Sequence, residues 1–116
     1  KVLAHEYAWA LGALERHRAY VADFFTRYDL LITPTLALPP FPCGHRPGVI
    51  DGKKVEAMWA FYAPLFPFNL SGNPAASIPC GFTPENLPVG MQIVGPRMEE
   101  TKVADERPFD IKVPGV

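Results

Sequence analysis

The sequence predicts an α/β fold on three observations. A long stretch at the start is apolar on one side only, a short continuous apolar run follows it at once, and two later apolar runs are separated by a turn. A helix leading directly into a buried strand belongs to layered α/β architectures. With 48% hydrophobic and 20% charged residues the chain has the composition of a folded protein rather than a disordered one. A length of 116 residues holds one domain at most, so residues 1–116 are read as a single unit.

The helix is read over residues 1–28. Leu3, Tyr7, Leu11, Leu14, Val21, Phe24 and Tyr28 recur at the three-to-four spacing of a one-sided helix, and Glu6, Glu15, Arg16, Arg18 and Asp23 take the solvated side. Asp29 breaks the pattern. Leu30, Leu31 and Ile32, closed by Thr33 and Pro34, then predict a strand within residues 29–35 that is buried on both faces. Residues 36–54 contain Pro39, Pro40, Pro42, Pro47 and several glycines, which interrupt regular hydrogen bonding and predict a loop over the surface or along a cleft.

Residues 55–72 are read as helical segments punctuated by Pro64 and Pro67. Pro67 suits the start of a separate short helix and Gly72 its end. Within residues 75–97, Ala75 to Ile78 and Val89 to Val94 read as two strands joined through Thr83-Pro84-Glu85-Asn86, paired with each other and antiparallel. In the tail, residues 98–116, only Phe109, Ile111 and Val113 offer an alternating apolar face.

Several function classes fall away on composition. Eleven Lys and Arg against twelve Asp and Glu, spread along the chain, make no basic stripe for nucleic acid. The apolar stretch from Ala60 to Leu70 contains two prolines and Asn69 and is too short to span a membrane. With no signal peptide visible either, a cytoplasmic location is expected. Cys43 and Cys80 lie far apart without CxxC spacing, His5 and His17 point about 120° apart around a helix, and His45 has only Cys43 nearby. Neither a disulfide framework nor a metal site is expected. The first residue is Lys1 rather than Met, from which a fragment of a longer protein is expected.

The only serines are Ser71 and Ser77, neither in a G-x-S-x-G turn and neither near a lysine in sequence. Ser71 stands before a glycine at an expected helix end and Ser77 alternates within a strand, so both read as structural.

Tyr28-Asp29-Leu30-Leu31-Ile32-Thr33-Pro34-Thr35 resembles the strand and loop YDLLITPT of amidase-signature enzymes. A second block matches more specifically, PFNLSGNPAASIPCGF from Pro67 to Phe82, continued by LPVGMQIVGPR from Leu87 to Arg97. Order and spacing resemble the C-terminal portion of that family, whereas the tail after Arg97 departs from it: Arg107-Pro108-Phe109 arrives early. The resemblance implies part of a mixed-sheet α/β/α sandwich. It also implies an enzyme that hydrolyses carboxylic amides through an acyl-enzyme, without cofactor, using a serine, a second serine with a cis peptide bond, and a lysine. Those three belong to a Gly/Ser-rich region N-terminal to the matched segments, so no catalytic residue is expected here, and the missing N-terminal amidase portion is the expected partner.

In relatives the segment resembling Trp59 to Asn69 lines the acyl pocket. Carried onto this chain, that implies Trp59, Tyr62, Phe66 and Asn69 as pocket-lining residues, which would share one side if the segment were continuously helical; ordinary core packing is the alternative for each. Amidotransferases of the family place an acid in this segment to hold glutamine, and residues 58–69 contain none, which favours a general amidase. A different outcome is a non-catalytic binding module that self-associates through exposed strand edges.

Overall fold

The computed structural model describes residues 1–56 and 58–104. Helix α1, Ala4–Phe24, opens where the Glu6 carboxylate accepts the Leu3 backbone N–H at 2.8 Å, satisfying one of the unpaired amides of the first turn. It ends before Tyr28, earlier than the periodicity predicts. Thr26 Oγ1 donates to the Asp23 carbonyl at 2.7 Å, and the Thr26 and Arg27 amides turn back to Asp23 and Phe24, so the last carbonyls are satisfied without a further turn of helix.

The C-terminal half of α1 packs on helix α2, Phe66–Ser71. Val21 is buried there, His17 Nε2 donates to the Pro67 carbonyl at 2.8 Å and Arg18 Nε donates to that of Leu70 at 3.2 Å. The same apolar stripe continues toward the N-terminus without cover, leaving Leu3, Tyr7 and Leu11 exposed. Pro67 sits in the first turn of α2, where its missing N–H costs nothing. Gly72 closes the helix in the left-handed region at φ 74°, its N–H donating to the Phe68 carbonyl at 2.8 Å.

Strands β1 (Leu31–Pro34), β4 (Ala75–Phe82) and β5 (Pro88–Val94) form an antiparallel sheet in the order β1-β5-β4. The pairing of β4 with β5 is as expected, and both strands run further than the apolar pattern predicts. Their turn is held by Thr83 N–H to Leu87 O at 2.8 Å and Asn86 N–H to Thr83 O at 2.9 Å, with Asn86 left-handed at φ 61°. Strand β1 lies where predicted, but Ile32 and Pro34 are exposed, because no described element covers that part of its surface. Ile93 and Val94 on the central strand, with Phe61 and Phe68 from the preceding segment, supply the buried core.

Inside the predicted loop the chain forms a small hairpin, β2 (Val49–Ile50) with β3 (Lys53–Lys54). Asp51 and Gly52 turn it with φ of 49° and 72°, the two positive angles that a tight hairpin turn demands. Helix α3, Glu100–Ala104, lies against Gly95, where an added Cβ would stand 2.6 Å from Val103 Cγ2. The alternating face expected at Phe109, Ile111 and Val113 lies outside the described residues.

Candidate functional site

The segment predicted to line a pocket is not one helix. A single 3₁₀ turn at Ala60–Tyr62 is followed by α2, with Ala63, Pro64 and Leu65 between them. Glu56 begins the turn by accepting the Met58 and Trp59 amides, the latter at 2.8 Å. Phe61 is the anchor. It is 5% exposed, its ring meets Phe41 edge-on at 5.2 Å between centroids, and its carbonyl accepts the Ala37 N–H at 3.0 Å. The prolines explain the break, since neither Pro64 nor Pro67 can donate into a continuing helix.

Trp59, Tyr62, Phe66 and Asn69 therefore fall into two pairs on two elements. Trp59 and Tyr62 approach with ring centroids 6.5 Å apart, and Phe66 and Asn69 share a face of α2 at three-residue spacing. None of the four is core: Trp59 is 57% exposed, Phe66 39% and Tyr62 36%, and Asn69 is exposed as well. The inward aromatic positions are Phe61 and Phe68 instead.

One face of the sheet meets this segment. Antiparallel register sets Thr33, Gln92 and Ser77 side by side across β1, β5 and β4. Gln92, which sequence reasoning passed over as one member of an alternating strand, is 3% exposed and donates from Nε2 to Thr33 Oγ1 at 2.9 Å and to the Pro64 carbonyl at 3.2 Å. The signal available was an amide side chain within a strand otherwise rich in apolar residues. One step along, Thr35 Oγ1 and Ser77 Oγ share a hydrogen bond of 2.6 Å above Gly90, where the central strand has no side chain to separate them.

The two serines have structural partners. Ser71, 1% exposed, donates to the Phe68 carbonyl of its own helix at 3.3 Å. The partner of Ser77 is the Thr35 hydroxyl, which is no base at neutral pH. Among the described residues no group of three His, Cys, Asp or Glu side chains converges as a metal site, and no helix is long and apolar enough to cross a membrane.

The family model for amidases matches residues 1–104. The A chain of the glutamyl-tRNA(Gln) amidotransferase of Bacillus mycoides (strain KBAB4) is 39% identical over 84 residues, covering 70% of this chain and 16% of that protein. The crystal structure of a bacterial aryl acylamidase of the amidase-signature family superposes with a TM-score of 0.79 at 28% identity, over 92% of this chain and 24% of that one. The corresponding glutamyl-tRNA(Gln) amidotransferase chain of Thermotoga maritima superposes with a TM-score of 0.60 at 30% identity, over 86% of this chain and 21% of that one. The chain thus spans roughly a sixth to a quarter of the length of such relatives. A match that starts at residue 1 takes in α1, which by itself fits many proteins, together with the whole sheet, and on it the chain belongs to the amidase family.

Proposed function

We propose that the chain is the C-terminal portion of an amidase-signature hydrolase acting on carboxylic amide C–N bonds, and that it supplies strands, core and one wall of the acyl pocket without being active alone. The observation that carries this reading is the close superposition of nearly the whole chain on only 24% of an aryl acylamidase. The chemistry agrees with it. A serine hydroxyl is a weak nucleophile until a base is held within hydrogen-bond reach and backbone donors await the oxyanion, and the surroundings of Ser71 and Ser77 supply neither partner in the form required.

The wall is assigned to Trp59, Tyr62, Phe66 and Asn69, whose exposure leaves their apolar surfaces free to meet an acyl group. Such a lining favours apolar or aromatic acyl groups. The absence of an acid from residues 58–69 favours a general amidase over an amidotransferase, although relatives of both kinds match. The test is hydrolysis of 4-nitroacetanilide by the purified chain, alone and after co-expression with the N-terminal three-quarters of an amidase-signature enzyme. No turnover alone and measurable turnover with the added portion is the expected result. Robust turnover by the chain alone would overturn the reading.

A further inference from the structure

The pocket wall contains two prolines, Pro64 and Pro67, and so lacks two of the backbone donors that would otherwise fix it. Its position depends on the carbonyls it offers to other elements. Two such bonds reach it from the sheet side of the molecule: the Ala37 N–H to the Phe61 carbonyl, and Gln92 Nε2 to the Pro64 carbonyl. The second lies between the turn that carries Tyr62 and the helix that carries Phe66, so it holds the joint between the two pairs of wall residues.

Gln92 is suited to that task and to little else. A primary amide has two N–H protons, and here one meets Thr33 Oγ1 while the other meets Pro64 O. Thr33 can accept because its own hydroxyl proton goes to the Pro34 carbonyl at 3.2 Å. An amide buried without partners costs free energy, and a leucine would fill the same space without that cost, so packing alone gives no reason for a glutamine here.

We propose that Gln92 is a positioning residue for the acyl-pocket wall, fixing the Trp59–Tyr62 and Phe66–Asn69 pairs against the sheet and thereby setting the depth of the pocket. The proposal rests on the reading of that segment as the wall. A change at Gln92 then alters which acyl lengths fit, although its side chain touches no substrate.

Amide hydrogen exchange on the ¹⁵N-labelled chain tests it. Gln92→Glu keeps the shape but presents a carboxylate that cannot donate to Pro64. Exchange at Tyr62, Ala63 and Leu65 should rise about tenfold, the loss of one buried hydrogen bond, while the β4–β5 amides keep their protection. Thr33→Val, a milder change outside the central strand, should raise exchange at the same three amides by a smaller factor, and it serves if Gln92→Glu does not fold. Unchanged wall amides, or an equal rise in wall and ladder, would overturn the proposal. A separate titration with acetanilide, read at the Trp59 indole, tests the wall reading itself. A loosened wall with no acetanilide response leaves the positioning role standing and rejects the pocket; a response with an unmoved wall does the reverse.

Discussion

At Gly90 an added Cβ would stand 2.9 Å from Thr35 Oγ1 and 3.0 Å from Ser77 Oγ. Gly90→Ala must therefore part the two hydroxyls or shift a strand. Overpacking of this kind costs about 1–3 kcal/mol, so the urea midpoint should fall; an unchanged midpoint would mean that the side chains rotate aside freely. A residue-scale effect of opposite exposure occurs at Lys102, where a hydrogen bond from Glu99 raises the pKa above the ordinary 10.5. With the folded value above the unfolded one, the contribution is fully present below pH 10.5 and is lost as pH rises through the raised value. Both partners are solvent-exposed, so the expected change is confined to α3: the Val103 and Ala104 amide shifts should move in that alkaline range while the sheet stays intact.

Among the elements, α1 was legible as a helix because its periodicity is a local property, and so was the C-terminal stop at Gly72. What the pattern could not convey is the extent of cover. Leu3, Tyr7 and Leu11 have the same spacing as Val21, yet α2 is six residues long and reaches only one half of the 21-residue helix. The same reasoning applies to β1, whose apolar run predicts burial on both faces while Ile32 is 50% exposed. The β2–β3 hairpin was missed although Asp51-Gly52 is a strong turn signal, because two-residue strands are too short to show any alternation. Of the site, the residue types of the wall were legible, but its breakage into two elements and the role of Gln92 depend on contacts between residues 28 and 59 positions apart in sequence. Because the uncovered part of α1 contributes little to this chain's own core, Tyr7→Glu with Leu11→Glu should leave the thermal midpoint nearly unchanged and raise solubility. A drop of several degrees would place those side chains in a packed interior.

For the whole molecule, the accessible surface of 8813 Å² exceeds the roughly 6,300 Å² expected of a compact protein of this mass. The radius of gyration is 17.0 Å, against about 13 Å for a compact chain of this length. Much of the excess is apolar, including Trp9, Tyr20, Trp59 and Phe82. A surface of that kind calls for a partner, so the isolated chain should show a mass that grows with concentration in light scattering. A constant monomer mass over a wide range would contradict this.

The strand order also bears on how the chain reaches its structure. Strands β4 and β5 are joined by five residues and can zip together early, whereas β1 must find its place beside Val94 from 63 positions away, across the prolines and α2. Closing so long a loop is entropically costly and gains little until the hairpin exists to receive it. Docking of β1 is thus the late event in assembly, and until it occurs the outer edge of β5 stands open to any other extended peptide that can bond to it.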